Sequence, residues 1–409
     1  MVRADLKRSA ARHARVVFIL GMAQLMFAGS VVAQYAPSNG RFVMGPLTWT
    51  PTLTLRDAGI DSNVFNTAKD PQQDITGSFT PSVDSRLTLG VMQLATQGQA
   101  DFLYFERYTN QRAINGRVAG RMQFPTTRIR PILSGSWARA KDRSGNEIDV
   151  RVPRTELGYA AGLGTRLTPG SSLDVTVGRQ ELRFDQGATF RDVDIATRLN
   201  RQSTTADLQF RAGLSPLTSF LVTVGGTRDD FVLANSRGSD NLRGTFGFEF
   251  APDAIIRGRA NVGYHRMQPR GADQSLAFDG WTTSVDLSYS LLGRTLFNGR
   301  ISRDTSYSVL DNRSQYLSTV GGVEVTHNLV GPIDLDVRVA REKLDYAATA
   351  TGFPARIDYA DTLGGGVVVR ISMQARLGFF YDDQQRRSSD GSQFGYRRQH
   401  LYTSITYGF

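Results

Sequence analysis

The sequence predicts an all-β fold, a transmembrane antiparallel β-barrel of about 18 strands with short turns at one rim and longer loops at the other. Three features predict it. Apolar residues recur at every second position in segment after segment. The connectors between those segments alternate short and long. After residue 33 no stretch approaches the ~20 apolar residues that a spanning helix needs, so any membrane crossing must use strands.

The first element is an export signal. Arg3, Lys7, Arg8, Arg12 and Arg15 stand against one acid, Asp5, and the apolar run Val16 to Ala28 follows. Val31 and Ala33 place small residues before Gln34, where a signal peptidase cuts. A retained membrane anchor is the competing reading, but the run is short and Gln24 interrupts it. Residues 1–33 are therefore expected to be a cleaved signal peptide, 34–46 a periplasmic segment and 47–409 a single barrel domain.

The strands come next. Leu208, Phe210, Ala212 and Leu214 share one parity, and Asp207, Gln209 and Arg211 the other. Phe246, Phe248 and Phe250 alternate with Thr245, Gly247 and Glu249. The same holds for Val285, Leu287 and Tyr289 against Ser284, Asp286 and Ser288, and for Leu335, Val337 and Val339 against Asp334, Asp336 and Arg338. The chain closes on Leu401, Thr403, Ile405, Tyr407 and Phe409 at one parity. Trp49, Phe124, Trp137, Phe250, Trp281 and Phe409 lie near segment ends, as interfacial girdles require. Gly364 to Gly366, inside a strand, mark a bulge or a close approach.

Short connectors fall at 124–127, 168–171, 215–218, 252–253, 292–294, 330–332 and 372–374. Polar longer ones fall around 57–73, 107–112, 141–153, 186–199, 233–241, 268–277, 308–315, 346–356 and 384–395. The short set is expected to be periplasmic.

Composition removes several classes. The chain has 409 residues and no cysteine, so disulfides and thiolate chemistry are excluded. A formal charge of +10 suggests nucleic acid at first sight. Part of it belongs to the signal, leaving roughly +6 spread through strands with acids between, and no recognition helix or basic block exists. A plugged transporter of about 22 strands needs a longer chain. No cofactor and no metal are expected: Asp57, Asp61 and Asn63 offer oxygens, but too few for calcium, and Asx turns explain them better.

With lipid on the apolar parity, the other parity lines a lumen. Arg211, Glu249, Arg257, Arg259, Asp286, Asp336, Arg338, Arg370, Arg376 and Arg398 are the lumen candidates. They read either as a polar passage favouring anions or as ion pairs bracing the wall. The segment 57–73 holds Ile60, Val64 and Phe65 amid Asp57, Asp61 and Asn63, and so is expected to fold into the mouth.

Asp61-Ser-Asn-Val-Phe65, then Asp74-Ile75 opening a second strand that contains Pro81, resembles the start of the outer-membrane β-barrel porin family, type two. The resemblance implies a signal, one barrel, a terminal aromatic and no catalytic residues. Some members are linked to exopolysaccharide export, which makes an outer-membrane exit component fed by a periplasmic export protein the alternative function. The leading expectation is an outer-membrane channel for hydrophilic solutes, not an enzyme and not a nucleic-acid binder. Its partners are outer-membrane lipid and the barrel-assembly machinery, read through Tyr407 and Phe409. A structural or adhesive barrel, and a hydrolase built on His265 or His400, are weaker readings, since no G-x-S-x-G motif surrounds a serine.

Overall fold

A computed structural model describes residues 42–271, 273–310, 313–348, 352–391 and 394–409. The proposed signal, residues 1–33, lies outside them. Eighteen long strands form one antiparallel ring. They are β1 (Leu47–Asp61), β2 (Asp74–Leu89), β3 (Met92–Phe105), β4 (Ala113–Gln123), β5 (Ile129–Arg143), β6 (Arg151–Thr168), β7 (Ser171–Phe184), β8 (Arg201–Ser215) and β9 (Thr218–Phe231). The second half holds β10 (Ser239–Phe250), β11 (Ile256–Pro269), β12 (Phe278–Leu291), β13 (Thr295–Tyr307), β14 (Gln315–Val330), β15 (Ile333–Tyr346), β16 (Arg356–Arg370), β17 (Ala375–Ser388) and β18 (Tyr396–Gly408). Each pairs with its sequence neighbour, and β18 returns to β1 through Leu53↔Tyr407 and Leu55↔Ile405. Closure leaves no open edge in a solvent that cannot satisfy one. The short strand Phe42–Met44 pairs back on β1 at Trp49, within the segment expected to be periplasmic.

Alternation decides which face is which. Leu133, Val177, Phe246, Ile301, Val339, Phe379 and Leu401 point outward and are exposed, while their strand neighbours point inward. A continuous apolar exterior of this kind is solvated by lipid rather than water. Aromatic pairs mark both ends of the wall: Tyr264 against Trp281 near the long-loop rim, and Trp49 on Phe42 and Tyr407 on Phe409 near the short-turn rim. Trp137 is an exception to the girdle expectation. It pairs with Val118 and Leu157 within the body of the wall and packs over Gly116.

The turns at 90–91, 124–128, 169–170, 216–217, 251–255, 292–294, 331–332 and 371–374 share one rim, and the long loops share the other. Two departures from the sequence expectations have local causes. Strand β1 runs through 57–61 rather than opening a loop there. A bulge between Leu55 and Ala58, with Asp57 at φ 54°, absorbs one residue and lets pairing resume at Ala58 with β18 and at Gly59 with β2. Strands β5, β6 and β17 also reach further than expected, to Arg143, from Arg151 and to Ser388, which shortens the loops to 144–150 and 389–395. At Pro81 the β2–β3 ladder opens between Phe79 and Ser82, because proline offers no N–H to the partner strand.

Candidate functional site: the lumen and the loop that crosses it

Loop 144–150 leaves the rim between β5 and β6 and is anchored on the other side of the ring. Asn146 Nδ2 donates to Glu342 Oε2 on β15, at 2.5 Å. Asp149 pairs with Arg386 on β17, at 3.3 Å. Strand β15 lies nine strands from β6 in a ring of eighteen, so the loop spans the lumen instead of standing over the rim. Its sequence, Ser144-Gly-Asn-Glu-Ile-Asp-Val150, suits that path. Ile148 is buried in an apolar cluster with Val152, Phe184, Phe190, Ile195, Leu199 and Val309. That cluster draws in the 185–200 loop, which carries the helix α1 (Ile195–Leu199), capped by Asp194 accepting from the Thr197 N–H. Val309, with Leu310 packed beside it, completes the cluster. Apolar residues in otherwise polar loops are thus withdrawn from water into the barrel mouth.

Polar side chains fix these loops to one another. Glu147 accepts from Ser308 Oγ (2.5 Å), the Val309 N–H (3.2 Å) and Tyr346 Oη (3.3 Å). Burial pushes its carboxyl pKa up, and these bonds offset part of that rise. Burial also raises Asp149, with the Arg386 charge opposing. Arg237 donates to the carbonyls of Arg198 (2.7 Å), Ser308 (2.8 Å) and Ser314 (2.6 Å), joining three loops through one guanidinium. Its burial, with Arg198 nearby, lowers its pKa to about 10, so it remains charged at neutral pH. On the wall below, Asp358 is shared by Arg356 (2.5 Å) and Arg386 (2.8 Å), all three buried.

The segment expected to fill the mouth has a supporting part. Asp57 lies in the bulge of β1, and Asp61 ends that strand buried against Arg398 at 2.6 Å. Asn63 is buried, receives the Thr67 N–H (3.0 Å) and donates to the Arg397 carbonyl (3.1 Å), an Asx-type fold-back. Phe65 stands edge-on to Tyr108 at the rim. The Val64 carbonyl accepts from Arg143 (2.5 Å) and Arg151 (2.9 Å), the two stems of the crossing loop. Residues 62–73 therefore hold the base of the constriction, and 144–150 form it.

The ten lumen candidates all lie on the inward parity, and most are paired. Glu249 is shared by Arg211 and by Arg259 at 3.0 Å. Asp286 meets Arg300 at 2.8 Å, and Arg370 meets Asp334 at 3.3 Å. Asp336 is buried and accepts from Thr326 at 3.0 Å. Arg338 grips Asp382 at 2.5 Å and also bonds Tyr402. Phe380, Tyr402 and His400 stack in turn along this wall, at 5.3 Å and 4.5 Å between centroids. The glycine run has its use here: a Cβ at Gly364 would strike Asp382, and one at Gly366 would strike the Phe380 ring. The close approach is by side chains, and β16 keeps its register throughout.

Arg257, Arg370 and Arg376 gather with Arg294 around a recess at the short-turn rim. Sequence reasoning passed over Arg117 and Arg121, which face the lumen from β4, and every anchor of the crossing loop. The usable signal was Ile148 and Val150 inside a short polar loop. His265 is held between Asp304 (3.1 Å) and Asn241 (3.1 Å), and the hydroxyl beside His400 is that of Thr76 (3.3 Å). Among the described residues neither ring bonds a serine.

The family described as "putative beta-barrel porin 2" matches residues 40–409. No curated protein matches the sequence. Among solved structures, a BenF-like porin from Pseudomonas fluorescens Pf-5 superposes with a TM-score of 0.53 at 11% identity, covering 90% of this chain and 99% of that one. OpdK from Pseudomonas aeruginosa, solved with vanillate, superposes with a TM-score of 0.51 at 16% identity, covering 88% of this chain and 98% of that one. At these identities the likeness is one of fold.

Proposed function

The chain belongs to the β-barrel porin family named above and is an outer-membrane channel protein, and on that premise we propose that it is a loop-constricted pore for small hydrophilic solutes, with a preference for anions. The observation that carries this is the crossing loop, tied to the far wall by Asn146–Glu342 and Asp149–Arg386. A side-to-side tie divides the lumen and limits what passes to small solutes. The preference for anions rests on inward arginines in excess of inward acids, with Arg117, Arg121, Arg257 and Arg294 lacking a carboxylate partner among the described residues. In this reading the long loops are extracellular, the short turns are periplasmic, and lipid and the assembly machinery are the partners.

No observation favours the alternative, an exit for exopolysaccharide, and a pinned loop across the lumen opposes the passage of a continuous chain. Single-channel conductance in a planar bilayer under a salt gradient tests the proposal. A small, steady conductance with a reversal potential on the anion side is expected. Cation preference, or a large conductance like that of an unobstructed 18-strand barrel, would overturn it.

A further inference from the structure

We propose that the recess at the short-turn mouth is a binding site for a doubly charged oxyanion of the phosphate class. The recess has a volume of about 300 Å³, at the lower end of small-molecule sites. It gathers four guanidiniums, from Arg257 on β11, Arg294 in the 292–294 turn, Arg370 at the end of β16 and Arg376 at the start of β17. Asp334 is the single acid in its lining. That carboxylate is already committed, to Arg370 at 3.3 Å and to Asn328 at 2.8 Å. Arg257 and Arg294 have no carboxylate partner among the described residues. Elsewhere on the inner wall Arg211, Arg259, Arg338 and Arg398 are each held by an acid.

Two guanidiniums, those of Arg257 and Arg294, thus face one concavity without a carboxylate of their own. A monoanion would leave one of them unbalanced, and a dianion leaves none. Guanidinium forks suit this partner because they present parallel N–H donors to two oxygens of one group. Ser290 adds a neutral hydroxyl to the lining. At the short-turn mouth such a site holds an oxyanion as it leaves, or as it enters from that side.

The site rests on the channel reading for its sidedness only, so two measurements separate them. Calorimetry with the folded full-length protein in detergent reads binding directly, using inorganic phosphate and acetate as probes at low chloride. Saturable phosphate binding, at least tenfold tighter than acetate, is expected. It should weaken tenfold or more in Arg257→Gln/Arg376→Gln and several-fold in Arg294→Gln, which alters a turn and leaves the strands intact. No saturable binding, equal binding of acetate, or binding indifferent to all three substitutions would overturn the site. In bilayers, phosphate should reduce chloride current more strongly from the short-turn side. Binding without any conductance would leave the site standing and remove the channel reading. Conductance without binding would do the reverse.

Discussion

Arg386 on β17 reaches Asp149 at 3.3 Å, although 237 residues separate them and the two strands that carry Asp149's loop stand on the other side of the barrel. The contact is buried at both ends. It makes a lumen that closure alone would leave open into a divided one.

Asp149→Asn removes that pairing and leaves Arg386 its bond to Asp358 at 2.8 Å. Because Arg386 keeps one carboxylate, the loss should be nearer a charged hydrogen bond, about 1.5–3 kcal/mol, than a stranded buried charge. The barrel should still form, shown by heat-modifiable migration on a gel. Conductance should rise and become noisier, and an unchanged trace would mean the loop is held elsewhere.

Removing residues 145–149 should raise single-channel conductance several-fold. Removing 63–72 should raise it less, since that segment supplies the Val64 carbonyl to Arg143 and Arg151 rather than the obstruction. The opposite ranking of the two deletions would restore 62–73 as the element that closes the mouth.

The constriction should tighten as pH falls. Docking buries Glu147 and raises its carboxyl pKa. The docked state therefore binds more protons than the undocked one, and its stability is greatest at low pH. That advantage is lost as pH rises from the free carboxylate range, about 4.3, through the raised value in the docked loop. Conductance recorded across this window should increase with pH. In Glu147→Gln the dependence should flatten, with the low conductance kept.

Closure of the ring has one sensitive position. At Gly59 a Cβ would come within 2.0 Å of the Leu401 carbonyl oxygen, across the β1–β18 seam. Gly59→Val should destabilise the barrel by roughly 1–3 kcal/mol, as overpacking does. A thermal melt of refolded protein would register it, and the same change at Gly244, where nothing lies within 4 Å, should have little effect.

Phe409 stacks edge-on to Tyr407 at 4.9 Å, and its N–H reaches the Pro51 carbonyl at 3.4 Å. If the machinery reads this end, deleting Phe409 should cut the amount of protein assembled in the outer membrane several-fold while refolding in detergent stays near normal. Equal losses in both would make the residue a matter of stability alone.

Alternation was enough to read the wall. Leu401, Ile405 and Tyr407 face lipid and Arg398 and His400 face inward because a strand's period is two and one face is apolar, which is local information. Closure was legible too, because a lipid-facing strand has no water to satisfy an edge. The loops were only half legible. Ile60, Val64 and Phe65 drew attention to 57–73 because they are many and early in the chain. Ile148 and Val150, fewer and in a shorter loop, turned out to cross the lumen. Nothing local shows where that loop goes, for Asn146 and Asp149 find Glu342 and Arg386 only after eighteen strands have curved into a ring and set β15 and β17 within reach of a loop from β5. The same curvature decides which charges meet. Parity put Arg211, Glu249, Arg257 and Arg376 inside, but only the register of β8 to β11 hands Glu249 to Arg211 and Arg259, and only the meeting of seven strand ends leaves Arg257 and Arg294 facing a recess with one acid already taken.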